Sequence, residues 1–299
     1  ESAVYRITGV LSVIGGWFIT AGAAFTICFI VTLIIYAGGT AAIVAMVILA
    51  IFSLVRSQLI YKKKMRKEAL KEEVNQTVGQ LRNTHNTREA LELFRQHSRE
   101  ELKENIRFAA FALQESIDGF ENENLKELRK VMNDLEEKKV HLNQVRRVGT
   151  LGITQLNRAI AIEKGLYYYQ GNDFASEIIF SIRRLVEPCK QHIDNNFKPL
   201  DEIQRKDYGE VEAQIIAYLE NISSQIEKND YLGMSTTVEE SARLQRELIR
   251  LKKEELKRIQ GQSGSTKVSM VYLNILQETT NVVNFSCNLI KVSKKFQKE

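Results

Sequence analysis

Apolar and polar positions divide the chain into two regimes. Residues 7–55 contain no Asp, Glu, Lys, Arg or His, so this stretch offers no charged face with which a helix could meet water. A bilayer core takes about 20 apolar residues of helix, with roughly 17 as a lower limit. Residues 9–36 are long enough for one span plus a distorted stretch. After the break Ala37-Gly38-Gly39, residues 40–55 predict a second, shorter one. Beyond residue 56 the apolar residues recur at steps of three and four. Leu102, Ile106, Ala109, Leu113, Ile117 and Phe120 form one stripe, and Phe174, Ile178, Ile182 and Leu185 a second. Tyr208, Val211, Ile215, Tyr218, Ile222 and Ile226 form a third. Such stripes are the buried faces of amphipathic helices, and no run alternates as a half-buried strand does. The expectation is an all-α protein, with a transmembrane helical hairpin over residues 1–58 and a long-helix cytoplasmic bundle over residues 59–299.

Polar clusters punctuate the bundle. His85-Asn86-Thr87 predicts a helix start with Thr87 as N-cap. Gly171-Asn172-Asp173 predicts a break with Asp173 capping the helix after it. Turns are expected at Asn195-Asn196-Phe197-Lys198-Pro199, at Asn229-Asp230-Tyr231-Leu232-Gly233 and at Gly261-Gln262-Ser263-Gly264-Ser265. Long helices joined by short loops pack antiparallel, as one bundle or as a pair of three-helix bundles.

Charge adds an orientation. Arg56, Lys62, Lys63, Lys64, Arg66 and Lys67 follow the second apolar stretch directly. Positive charge beside a span stays on the cytoplasmic side, which places everything after Arg56 in the cytoplasm; contact with anionic lipid is the other use of such a cluster. The net charge of +5 is small for 299 residues. With no zinc-knuckle spacing, Gly-rich RNA-binding motif or basic recognition helix, nucleic acid is not an expected partner. Cys28, Cys189 and Cys287 lie far apart, the usage of a reducing compartment. Because the sequence starts at Glu1 rather than Met, it reads as a piece of a longer chain.

Signatures of catalysis are missing. There is no P-loop, dinucleotide glycine fingerprint, nucleophile elbow or His pair for zinc on one helical face, so neither enzyme activity nor a cofactor is expected. His97, in Phe94-Arg95-Gln96-His97-Ser98-Arg99-Glu100, reads as a solvated residue on a charged face. Asp173 and Glu177 lie one turn apart and would suit a metal ion, but helix capping by Asp173 accounts for that residue, and no metal site is expected. Two other groups stand out. Gly15, Gly16, Trp17 and Thr20 mark either a helix break near a transport path or close packing by small residues. In the last helix Asn274, Gln277, Asn281, Asn284 and Asn288 fall on one stripe beside Leu273, Leu276, Val283, Cys287 and Ile290. They form either an interhelical polar seam or a solvent face.

The segment Ile14-Gly15-Gly16-Trp17-Phe18-Ile19-Thr20-Ala21-Gly22-Ala23-Ala24 resembles a late membrane helix of the inorganic phosphate transporter (phosphate permease) family, although Ala21 stands where that family usually has Pro. The helical remainder resembles the cytoplasmic extension of some bacterial members, similar in style to the phosphate-uptake regulator PhoU. Thr280-Asn281-Val282-Val283-Asn284-Phe285-Ser286-Cys287-Asn288-Leu289 resembles that regulator's final motif, with Thr280 and Asn284 in the places of its metal-binding carboxylates. The resemblance implies a multi-pass protein of the bacterial inner membrane that carries inorganic phosphate coupled to Na+ or H+. Phosphate would bind upstream of Glu1, and the bundle, alone or as a homodimer in contact with membrane lipid, would regulate or assemble the carrier. A membrane signalling receptor or scaffold with a helical cytoplasmic domain is the competing reading. The short Ala37-Gly38-Gly39 link leaves a receptor no room for a sensor domain.

Overall fold

The computed structural model describes residues 2–84, 86–261 and 265–298; side-chain surroundings are described from Trp17 on, apart from 42, 53, 59, 60, 62–78 and 82. Every element among these residues is a helix, as the periodicity predicts. Helix α1 spans Ser2–Asn83, α2 Thr87–Glu121, α3 Leu125–Thr154, α4 Arg158–Asp194, α5 Glu202–Glu227, α6 Met234–Gln260 and α7 Thr266–Gln297. The chain divides into two compact units, Glu1–Ala69 and Leu70–Glu299.

The first unit is helical apart from one point. Gly39 adopts φ 56° and ψ −140° inside α1, a backbone state open to glycine and costly for residues with a Cβ. The expected break at Ala37-Gly38-Gly39 therefore falls on Gly39. One helix among the described residues, Trp17–Ala41, is long and apolar enough to cross a membrane. The second expected span corresponds to Ile43–Gln58, which is apolar but shorter. At Gly15, Gly16, Trp17 and Thr20, where the sequence allows either a helix break or close packing by small residues, the backbone is helical.

In the second unit α2, α3 and α4 touch one another, as do α5, α6 and α7, and the triplets join mainly through α4 against α7 and α2 against α5. All six residues of the α2 stripe and all six of the α5 stripe are buried; in α4 Ile178, Ile182 and Leu185 are buried and Phe174 packs at the edge. A second cluster closes the end where the chain enters: Leu81, Ala90, Phe94, Val148, Leu156, Tyr168 and Phe296. There the Phe94 and Tyr168 ring centroids stand 4.4 Å apart, and Phe296 meets Phe94 edge-on at 5.3 Å.

Several boundaries differ from expectation. Asn86, not Thr87, caps α2, its side chain accepting from the Arg88 amide at 2.9 Å. Helix α4 runs unbroken through Gly171-Asn172-Asp173. A Cβ on Gly171 would sit 3.6 Å from Leu102, an ordinary contact distance, so the helix has room for a side chain there and does not need the glycine as a terminator. Asn172 donates to the Tyr168 carbonyl at 3.1 Å, and Asp173 accepts from Arg146 at 2.7 Å rather than capping. The breaks instead fall at residues 122–124, where Glu123 has φ 52°, and at 155–157. Asn124 and Asn157 are the caps, accepting from the Glu127 amide at 3.2 Å and the Ile160 amide at 2.9 Å. The Asn195 and Asn229 turns form as expected, with Asn196 and Asn229 at positive φ. The third expected turn separates α6 from α7; its residues 262–264 lie outside those described.

Candidate functional site

The apolar segment is bare. Between Trp17 and Val55 the large side chains Trp17, Phe25, Phe29, Leu33, Ile48 and Phe52 are each more than half exposed. Contiguous apolar surface on this scale is far beyond what a monomer leaves in water. Two of its hydroxyls bond within the helix: Thr26 donates to the Gly22 carbonyl and Thr32 to the Cys28 carbonyl, each at 2.8 Å. A segment with no charge, apolar side chains outward and its backbone hydrogen-bonded as helix is what hydrocarbon tolerates. The surroundings of Gly15 and Gly16, and of the side chains of Lys62, Lys63, Lys64, Arg66 and Lys67, lie outside the described residues. Trp17 is exposed on the helix rather than buried against a neighbour, and so is Thr20.

The amide stripe of α7 faces two ways. Asn274 donates to the Arg184 carbonyl of α4 at 3.0 Å, and Gln277 accepts from Lys252 of α6 at 3.0 Å while donating to Asn281 at 3.2 Å. Lys252 also donates to Thr280 at 2.9 Å, and burial pushes its amine below the ordinary value. Asn281 donates to Glu278 at 3.0 Å, whose carboxylate also takes Arg184 at 3.1 Å. Asn284 is exposed and Asn288 half-buried. The upper part of the stripe thus ties α7 to α4 and α6, while Asn284 points to solvent. Among the described residues no three His, Cys, Asp or Glu side chains converge as metal ligands.

Sequence reasoning missed an ionic group between α2 and α3. His141 Nε2 lies 2.9 Å from Glu101, both side chains almost enclosed. Burial works to raise the Glu101 carboxyl, but the His141 hydrogen bond and the charges of His141, His97 and Lys138 hold it below its ordinary value. Burial pushes Lys138 down. His97 is half-buried beside this group, one turn before Glu101, rather than on an open charged face. The signal was in the sequence as His97/Glu101 and Lys138/His141 at helical spacing, but only the pairing of α2 with α3 brings them together. A second enclosed acid, Glu212, has a buried oxygen without a hydrogen-bond partner. Its carboxyl is pushed up to about 8, by burial first and then by Asp118 and Glu121. Neither group includes a nucleophile beside a base, and the recess of about 650 Å³ at Gln80, Asn83, Thr84, Asn86, Glu89 and Leu93 offers mainly amides and a hydroxyl.

No protein family, curated protein or solved structure matches this chain.

Proposed function

We propose that the chain is the membrane-anchored end of an ion-coupled inorganic phosphate carrier, with its helical bundle serving regulation or assembly of that carrier rather than catalysis. The observation that carries the anchor is Trp17–Ala41, 25 residues that include an 18-residue stretch of mean hydropathy 2.5, none of it buried. The basic run from Arg56 to Lys67 supports a cytoplasmic bundle, and the short Ile43–Gln58 supports a second crossing, through a locally thinned bilayer, in a multi-pass arrangement. Support for phosphate as the cargo is narrower and comes from the resemblance of residues 14–24 to the phosphate permease family. The long stripes of α2, α4 and α5 supply a self-contained core, as a regulatory appendage needs.

Two measurements test this. Alkaline carbonate washing of membranes should leave the chain in the pellet and release a version lacking residues 17–58; release of the intact chain would sink the anchor. Labelled phosphate uptake, in cells stripped of their other phosphate carriers, should depend on the protein and should change in rate or in its response to external phosphate when residues 84–299 are removed. Uptake indifferent to that removal would refute the regulatory role, and cells that take up no phosphate through the protein would refute the cargo.

A further inference from the structure

The first turns of α4 present an apolar ridge that the bundle does not cover. Ile162 is 69% exposed, Leu166 56% and Tyr169 41%, and their spacing of four and three puts them on one face. Their backs are fixed: Gly165 packs against Ile153 of α3, and the Tyr169 hydroxyl lies 3.4 Å from Thr150 of α3. The ridge therefore stands out from a rigid support rather than from a loop.

Its flanks are basic. On the α3 side Arg147 is exposed, and at the start of α4 Arg158 is exposed. On the α7 side Lys295 sits over the Tyr167 ring, 5.4 Å from its centroid. The carbonyl of Lys298 accepts from Lys164, at 2.7 Å, and so holds the basic C-terminal turn against α4. The one carboxylate in the first three turns of α4, Glu163, is paired with Lys164 at 3.3 Å. An apolar ridge with an aromatic member and a rim of Lys and Arg is the pattern by which a folded surface lies on an anionic membrane, apolar residues entering the headgroup boundary and basic residues meeting lipid phosphates.

We infer that this α4 ridge, Ile162, Leu166 and Tyr169 rimmed by Arg147, Arg158 and Lys295, docks the bundle onto the anionic face of a lipid bilayer. The inference rests on the membrane anchor proposed above. The anchor holds the second unit near a bilayer, so a surface attraction that is weak on its own acts at the high effective concentration of an intramolecular step. The occupant is lipid rather than an acidic protein because the chain itself carries the segment that brings lipid within reach.

The test uses the full chain in vesicles of phosphatidylcholine alone or mixed with phosphatidylserine, with bromine-labelled acyl tails as quenchers. Cys189 and Cys287 are buried and Cys28 is exposed, so Ile162→Cys in a Cys28→Ser background takes a single environment-sensitive fluorophore; Leu166→Cys repeats the measurement. Trp17, the one tryptophan of the chain, reports the anchor in the same sample. The expected result is quenching of Trp17 in both vesicles. The ridge fluorophore should lose roughly half its emission or more in the anionic vesicles only, recovering at high salt as exposed charges are screened. Arg158→Glu with Lys295→Glu should abolish the ridge signal and leave Trp17 quenched. Quenched Trp17 with an unquenched ridge overturns the docking surface and spares the anchor, whereas unquenched Trp17 overturns both. Equal, salt-independent quenching in neutral vesicles overturns the role of the basic rim. Shielding of the fluorophore in detergent that grows with protein concentration assigns the ridge to a second copy and overturns the lipid.

Discussion

Two glycines inside helices of the bundle should respond to alanine with opposite signs. A Cβ on Gly149 in α3 would lie 1.9, 2.5 and 2.7 Å from three atoms of Tyr168. The ring has little room to retreat, since it is 2% exposed, packs at a tilt against Phe94 and Phe296, and donates its hydroxyl to the Val145 carbonyl at 3.1 Å. Overpacking of this kind costs about 1–3 kcal/mol, and the alanine recovers at most about 1 kcal/mol of helix propensity. The contact is closer than any relaxed Cβ makes, so the cost belongs at the upper end and Gly149→Ala should destabilise by about 2 kcal/mol. In a unit of this size that lowers the midpoint of thermal unfolding by roughly 4–8 °C. Gly209 in α5 is exposed, and a Cβ there meets nothing within 4 Å. Gly209→Ala therefore keeps the propensity gain alone and should stabilise by up to about 1 kcal/mol. Urea titration of the detergent-solubilised chain, followed by circular dichroism at the helix minimum, measures both. Tyr168→Leu combined with Gly149→Ala should be less than additive, because the same clash is being relieved. Equal effects of the two alanines, or full additivity of the pair, would refute the reasoning that Gly149 is dictated by the Tyr168 ring.

Further outcomes follow from the ionisable groups and caps. Glu212 titrates at about 8 when folded, against 4.5 for the unconstrained side chain. Its proton is held more tightly in the folded state, so its contribution is full below pH 4.5 and is lost as pH rises toward 8. Glu212→Gln should flatten the decline in urea midpoint between those limits, and an unchanged slope would show that another group carries it. Glu101 has the opposite sign: its folded carboxyl is held low despite burial, so its contribution is present above pH 4.5 and lost on acidification. Glu101→Gln should weaken the protein at neutral pH and make the acid limb shallower, as read from unfolding midpoints at pH 7 and pH 3. Asp201 caps α5 through a reciprocal pair with Gln204, at 2.9 and 3.0 Å, and takes Arg258 of α6 as well. Asp201→Ala should cost about 1–2 kcal/mol, whereas Asp201→Asn should keep most of the cap; equal loss in both would place the effect on the Arg258 ion pair.

What was legible in the sequence was what a single helix dictates for itself. The α2 and α5 stripes needed no partner to be recognised, because burial on one face leaves its period in the residues of that helix alone. Turns with two consecutive Asn, at residues 195 and 196, were legible for the same local reason. Gly171-Asn172-Asp173 misled because its residues have two uses. Glycine ends helices but is also tolerated inside them, and here α4 continues through Gly171; the asparagine and aspartate bond backward and sideways instead of capping. Asn157 was passed over since no glycine or proline marks its turn, though its cap is the ordinary asparagine one. The Glu101–His141 group and the α4 ridge were beyond single-helix reasoning altogether. One depends on which helix lies beside α2, and the other on which apolar positions of α4 find no neighbour. In both cases the informative residue breaks the pattern of its own helix, a carboxylate that is enclosed or an Ile that is not, and such exceptions acquire meaning only when packing supplies the second surface. The same logic separates the two units of this chain. In Leu70–Glu299 most large apolar residues have protein to cover them, and single exposed ones such as Leu232 are ordinary, so it is a row of them on one face, as in α4, that asks for a partner. Between Trp17 and Ala41 exposure is the rule instead, and a helix apolar on every side asks for cover on every side, which is what the proposed membrane anchor supplies.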